Sequence, residues 1–254
     1  MEILLSVSEG TLLFLLFVAV FAGIVKGAVG FAMPLVMMSG LSAVLPVPIA
    51  LAGLILPTLV MNVWQALRGG VGALWRATQK YWRLLSIVLV FIFLSGQLVV
   101  ALPEALLSAM IGVPITFYAA SQLLGWRLRV APRHHRRAEV GTGIVAGFFG
   151  GFSGIWGPPI VAYLTALDTP KAEQVRAQGL LYGMGSVAFL ITHLRTGVLT
   201  GISLQFSAAL LVPAAIGMAV GFWLQDKMDQ ARFRQATMVL LLVAGLNLIR
   251  RSLM

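Results

Sequence analysis

The chain has 254 residues, of which 59% are hydrophobic and only 10% are charged. Soluble domains carry about 25% charged residues, so this composition excludes an ordinary water-soluble protein. The net charge of +10 could suggest a nucleic-acid partner, but the basic residues lie in short connections between apolar runs. That pattern is typical of membrane proteins, whose cytoplasmic loops are rich in Lys and Arg, and we expect no nucleic-acid partner.

Six uncharged runs are long enough to cross a bilayer as helices, since one crossing takes about 20 residues. Two shorter runs, 11–25 and 235–249, come close to that length. None has the polar–apolar alternation of an outer-membrane β-strand, so we predict an all-α polytopic membrane protein. The six long runs are 27–67, 84–103, 105–126, 140–167, 177–194 and 196–225.

The first long run contains several helix breakers. Its 41 residues would make one helix of about 60 Å, too long for a single crossing. We therefore predict that the chain breaks, folds back or re-enters within this run. The breakers are Gly27, Gly30, Pro34, Gly40, Pro46 and Pro48.

The sequence also contains an internal repeat. Residues 23–34 align with residues 147–158 at an offset of 124. These two stretches share three glycines and a proline at the same places. We predict two homologous membrane repeats of about four hydrophobic segments each, 1–126 and 140–254. Residues 127–139 form a basic loop between them, which we interpret as a cytoplasmic, topology-setting loop rather than an anion-binding patch.

Two threadings of the chain fit this pattern. If each half makes four full crossings, the halves are parallel, and Lys and Arg outside the spans divide 12 to 5 in favour of the central-loop side. If each glycine-rich segment is a hairpin of two half-helices, the halves are inverted, and the division is 14 to 3. The second division agrees better with the positive-inside tendency, and we favour inverted repeats.

The two glycine-rich breaks are the candidate binding site. A break exposes backbone N–H groups at the positive end of the next helix, where an anion can bind. The alternative is helix packing, since small residues let membrane helices approach closely. In the second break, Ser153 and Trp156 could add a hydroxyl and an indole donor, although the indole could simply pack. The glycines concerned are Gly27, Gly30, Gly151 and Gly154.

Four further polar residues join the candidate site. Lys26 precedes the first glycine cluster at a depth where a buried cation is costly, so it is either functional or directed to the interface. Arg176 lies near the start of a long apolar helix with Gln178 two positions later, and helix-end placement fits it equally well. Asn62 could orient an oxyanion or bridge two helices.

The sequence contains no recognisable catalytic set. His134 and His135 lie in the basic loop, and Glu104 and Asp168 are single carboxylates near membrane segments. No phosphate-binding loop and no cysteine are present either. We expect no enzyme activity, no cofactor and no metal site.

The glycine-rich segments resemble the sulfite exporter TauE/SafE family, also called the four-toluene-sulfonate uptake permease family. The resemblance rests on residues 23–31 (GIVKGAVGF) and 147–159 (GFFGGFSGIWGPP), together with Val175-Arg176-Ala177 and Arg195-Thr196-Gly197. It covers nearly the whole chain through the duplicated architecture. Where the first half has Lys26, the second has Gly150 at the aligned place, which leaves open whether both halves contact substrate alike.

Membership implies a multi-pass carrier in the bacterial inner membrane. Its substrate would be a small anion, namely sulfite, thiosulfate, sulfoacetate or an organosulfonate, moved with the help of an ion gradient. We expect the two breaks to face each other near the midplane and one half to rock against the other. An anion channel, or a membrane protein without transport activity, remains the alternative.

Overall fold

The computed structural model describes residues 8–98, 104–126, 129–153, 156–195, 199 and 201–253. All regular structure in these ranges is helical, with eleven α-helices and one short 3₁₀ turn at Pro132–His134. The helices are α1 (Glu9–Val29), α2 (Met33–Leu41), α3 (Val47–Leu67), α4 (Val71–Leu98), α5 (Glu104–Leu123), α6 (His135–Ser153), α7 (Gly157–Ala166), α8 (Lys171–Arg195), α9 (Gly201–Ala209), α10 (Leu211–Lys227) and α11 (Gln230–Ser252).

Several of the described helices can cross a membrane. Five stretches are long and apolar enough by length and composition. The predicted all-α, polytopic fold is therefore confirmed. The five stretches are Glu9–Val29, Ile49–Leu67, Val71–Ser95, Gly201–Lys227 and Gln230–Arg250.

The predicted break in the first long run lies between α1 and α2. Helix α1 ends where Gly30 adopts a left-handed conformation (φ 84°) and its N–H donates to the Lys26 carbonyl at 2.7 Å. This is a common helix end, because glycine has no Cβ to clash there. Ala32 is also left-handed (φ 72°), and Pro34 then lies in the first turn of α2.

The short helix α2 packs back along α1. Its nine residues span only about 14 Å at 1.5 Å per residue, less than half a bilayer crossing. A Cβ added at Gly40 would lie 2.6 Å from the Val18 side chain, so the two helices are in close contact. The second half repeats this plan, with the 10-residue α7 following α6 and a break that lies partly outside the described residues.

The first arm of each hairpin is longer than the predicted half-helix. Helix α1 has 21 residues and α6 has 19. The helix does not break at Gly27, because glycine within an apolar helix costs only about 1 kcal/mol relative to alanine. It breaks three residues later, at the left-handed Gly30.

Glycines bring α1 and α10 unusually close. A Cβ at Gly27 would lie 2.4 Å from the Met218 carbonyl oxygen, and a Cβ at Gly217 would lie 2.0 Å from the Val20 carbonyl oxygen. Gly23 and Gly221 make equally close backbone approaches in the same interface. Small residues spaced four apart on both helices thus form the contact, as in other membrane helix pairs.

The helices pack in corresponding pairs. Helix α1 packs on α10 as α4 packs on α6, while α3 contacts α8 and α5 contacts α11. Helices α1 and α6, which contain the aligned glycine-rich segments, thus each pack on one long helix of the other half.

One face of the molecule gathers the basic helix ends, and we call it the basic face. Ion pairs, hydrogen bonds and one shared pocket connect the ends of α3, α5, α7 and α10 with the starts of α4, α6, α8 and α11 on this face. Arg68 pairs with Asp226 at 2.5 Å, joining the ends of α3 and α10. Asp168, just after α7, binds Arg129 of the central loop and Arg234 of α11 at 2.7 and 2.9 Å.

Candidate functional site

A small cavity lies between the two helix breaks. The space that the centre of a water molecule can occupy in it is about 30 Å³, which is enough for about two waters. It is lined from the first break by Phe31, Ala32, Pro34 and Leu35, from the second by Trp156, Gly157 and Pro158, and from the surrounding helices by Lys26, Asn62, Tyr182 and Ala244. The described parts of the two breaks therefore border one space.

Lys26 is the one Lys, Arg, Asp or Glu among the described residues that line this cavity. Its side chain is not directed to an interface, since the residue is 1% exposed. The ammonium donates to Gln65 Oε1 at 2.6 Å and to the Gly30 carbonyl at 3.2 Å, and it lies 5.2 Å from the centre of the Tyr182 ring. No carboxylate among the described residues lies within 4.0 Å of it.

The contacts of the Lys26 ammonium in the described structure are with uncharged groups. A buried ammonium costs several kcal/mol unless it is paired, and its partners here are all neutral. An ammonium has three N–H donors, and the described oxygen acceptors occupy two of them. The third donor and the uncompensated charge suit a small anion in the adjoining cavity.

Two glutamines cover the first break. Gln65 holds its position by donating from Nε2 to the Val175 carbonyl at 2.9 Å. Gln178 is fully buried, and in the amide orientation that suits its neighbours it donates to the carbonyls of Gly30 and Val29, each at 3.3 Å. Gln178 thus stabilises the carbonyl ends of α1, and it is not among the residues that line the cavity.

Asn62 both bridges helices and lines the cavity. Its amide nitrogen donates to the Tyr182 carbonyl and to Ser186 Oγ, each at 3.1 Å. Tyr182 in turn donates its hydroxyl to the Gly157 carbonyl at 3.1 Å, at the start of α7. These bonds fix α3 and α8 against the second break, so the cavity wall is held by hydrogen bonds on one side.

Trp156 explains why the second break has no counterpart of Lys26. The indole is 2% exposed and packs edge-on against Phe189, with ring centres 5.6 Å apart. A Cβ at Gly150, the residue aligned with Lys26, would lie 3.0 Å from Trp156. A larger side chain at that place would meet the indole, so the cavity has one ammonium on one side and an aromatic wall on the other.

The predicted glycines lie in different surroundings. Gly30 forms the break itself, but its N–H is used by the Lys26 carbonyl. Gly27 lies inside α1 against α10, in the packing role that the sequence left open, and Gly151 is buried inside α6. The Ser153 side chain and the whole of Gly154 lie outside the described residues.

Arg176 is not brought to the cavity. It lines a separate pocket on the basic face, together with Arg68 and Lys171. Gln65 borders that pocket and also binds Lys26, so it stands between the two spaces. Like Asn62 on the same helix, Gln65 is a residue that the sequence alone leaves as either an oxyanion donor or a helix bridge. Its contact with Lys26, 39 positions away in the chain, becomes visible only in the structure.

The described residues that line the cavity include no carboxylate and no histidine. No group of three or more His, Cys, Asp or Glu residues among the described residues could hold a metal ion. What it offers is a positive charge, amide and hydroxyl groups and an aromatic wall inside a helical bundle, as in membrane proteins that bind small solutes.

The fold thus defines a multi-pass helical membrane protein with a small cavity between broken helices. The sequence family described as sulfite exporter TauE/SafE matches residues 15–248, nearly the whole chain. The chain belongs to this family, which confirms the resemblance seen in its glycine-rich segments, and the family implies a membrane transporter. No curated protein and no solved structure matches the chain.

Proposed function

We propose that the chain is a secondary carrier that moves sulfite, or a related small sulfur-containing anion, across the bacterial inner membrane. The observation that carries this proposal is the fully buried Lys26, which borders the cavity between the breaks with neutral partners only. An anion there would supply the missing counter-charge and accept the remaining N–H. Sulfite, thiosulfate and the sulfonate group of sulfoacetate all present such oxygens.

The small size of the cavity favours a carrier over a channel. A channel needs a continuous water-filled path, whereas the space open to water centres between the breaks is about 30 Å³, or about two waters. A carrier binds its solute at a site between its broken helices and exposes it alternately to the two sides. Flux that saturates with anion concentration and depends on a counter-ion gradient would separate the carrier from the channel.

We also propose that the two repeats are inverted, with the basic face and the loop 127–139 in the cytoplasm. The contacts on the basic face support this, since the end of α3 meets the end of α10 and the link after α7 meets the central loop. Each short helix would then return to the side on which its hairpin began. Fourteen of the Lys and Arg residues would lie on that face and three on the other.

Lys26→Gln tests the carrier proposal. The purified full chain is reconstituted in vesicles, and anion flux is followed with radiolabelled sulfite, thiosulfate and an organosulfonate, with chloride and sulfate as controls. We expect Lys26→Gln to abolish flux, because the amide cannot supply the positive charge. Lys227→Gln is the matched control, since Lys227 is exposed and lies against the Trp223 ring, 3.5 Å from its centre. Undiminished flux in Lys26→Gln would remove Lys26 from the mechanism.

A further inference from the structure

A second pocket opens on the basic face above the Lys26 site. The space that the centre of a water molecule can occupy in it is about 200 Å³. We call it the basic vestibule. Its lining residues are Gln65, Arg68, Gly69, Lys171, Ala172, Val175, Arg176, Gln225 and Asp226. Three are cations and one is a carboxylate, so the lining has a net charge of about +2 at neutral pH.

Two of the three cations of the vestibule are held in place by hydrogen bonds to other groups. Arg68 donates to Gln225 Oε1 at 2.6 Å and pairs with Asp226. Lys171 donates to the Gln225 and Met228 carbonyls. Because fixed charges need no reordering when a ligand arrives, they attract an anion more effectively than mobile ones. Arg176 is partly buried beside Gly69, whose added Cβ would lie 3.3 Å from the Arg176 Cδ.

Two glutamine side chains form the floor of the vestibule. Gln65 binds the Lys26 ammonium, and Gln225 donates to the Ala28 carbonyl at 3.4 Å. Both therefore contact the last turn of α1, where the cavity begins. The vestibule and the cavity are separated at this point by neutral amides rather than by an apolar plug.

Two pockets on the basic face have linings of opposite charge. A neighbouring pocket on the same face is lined by Glu139, Asp168 and Glu173, with Lys80 as its one Lys or Arg. A general excess of Lys and Arg on the face would not separate the signs in this way. The basic pocket is the one that adjoins Lys26.

We infer that the basic vestibule is a second anion site, which collects the transported anion on the basic face and passes it to Lys26 when the Gln65 side chain moves aside. This inference rests on the proposed carrier function. The ligand class is a small oxyanion, held by Arg68, Lys171 and Arg176. Arg176 acts there by electrostatic attraction and does not touch the cavity.

The absence of native cysteine allows a direct test of the potential in the vestibule. Ala172→Cys places a thiol on its exposed lining. The thiol of the purified full chain is reacted with an anionic reagent, sulfonatoethyl methanethiosulfonate, and with a cationic one, trimethylammonioethyl methanethiosulfonate. The ratio of the anionic to the cationic reaction rate is then divided by the same ratio for a free thiol in solution. We expect the anionic reagent to be favoured by about tenfold, within the range for charged clefts.

Matched variants identify the source of that preference. Adding Arg176→Gln to Ala172→Cys should lower the ratio severalfold. Arg250→Gln is the control, because it removes the same charge at the far end of α11. Gln230, at the start of α11, contacts Lys171 of the vestibule. Arg250 is 20 residues further along the helix and therefore about 30 Å from that contact. This control variant should leave the ratio unchanged. A ratio equal to that of the free thiol, or equal effects of the two Arg variants, would overturn the inference.

Flux measurements separate this inference from the carrier proposal. Arg176→Gln should raise the apparent KM for the anion and leave the maximal rate close to that of the unmodified chain. If Lys26→Gln abolishes flux while Ala172→Cys has no preference for the anionic reagent, the vestibule is wrong and the carrier stands. If the preference is present but Lys26→Gln transports normally, the carrier site fails and the electrostatic vestibule stands.

Discussion

Lys26 and Gln65 form the contact on which the site depends. In the described structure the ammonium has an amide oxygen at 2.6 Å in place of a counter-ion. Replacing that oxygen with a carboxylate would give Lys26 a permanent internal partner. An incoming anion would then have to displace a charged group held at contact distance.

We therefore expect Gln65→Glu to lower anion flux by at least about tenfold, since an added coupling of about 1.4 kcal/mol already gives that factor. Vesicle flux measures it, with thermal stability in detergent to check folding. Gln79→Glu is the control, because it adds the same charge at an exposed position of α4. Normal flux in Gln65→Glu would mean that the Lys26–Gln65 contact is not on the path of the anion.

The position of an individual site residue can be predicted from sequence only where its distance along the chain determines it. The sequence places 16 residues between Glu9 and Lys26, which predicts that Lys26 lies deep in the membrane region. In the structure the residue is 1% exposed. Arg176 could not be assigned in the same way, because the rotation of α8 about its axis decides which space it borders. That rotation depends on packing against α3 and α4.

At the scale of the helices, glycine has two roles that a single sequence cannot separate. Gly27 and Gly30 are three residues apart in the same motif. Gly27 accommodates the backbone of α10, whereas Gly30 takes the left-handed conformation that ends α1. Deciding between them requires knowledge of the partner helix, while the existence of a break followed from the glycines and prolines alone.

The packing role of the glycines predicts a large effect on stability. We expect Gly217→Ala to destabilise the protein by about 1–3 kcal/mol, since inserted volume forces backbone shifts. Its Cβ would lie 2.0 Å from the Val20 carbonyl oxygen. The measurement is the temperature at which the detergent-solubilised protein loses its monodisperse size-exclusion peak.

Gly141→Ala is the matched control for Gly217→Ala. Gly141 is also helical, in α6, but an added Cβ meets nothing within 4 Å. We expect a slight stabilisation, up to about 1 kcal/mol, from the better helix propensity of alanine. Equal melting temperatures for the two variants would contradict the close α1–α10 contact.

At the scale of the whole molecule, the loop charges and the helix contacts bear on the same question. The sequence favours inverted halves because Lys and Arg then divide 14 to 3. The contacts support the same threading independently of charge: a Cβ at Gly40 would meet Val18, so α2 returns along α1. Sequence alone could not decide, since the length of the run 27–67 is compatible with two crossings or with a hairpin.

Reporter fusions separate the two threadings. With inverted halves, the central loop and the C-terminus lie on opposite sides of the membrane, because the second half then makes three full crossings instead of four. We expect alkaline phosphatase to be active when fused after Met254 and inactive when fused within 129–137, and green fluorescent protein to give the reverse pattern. With parallel halves both positions would be cytoplasmic. Fluorescence at both fusion positions would therefore rule out the inverted arrangement and the proposed rocking of one repeat against the other. The role of Lys26 in the cavity would still be decided by the flux assay.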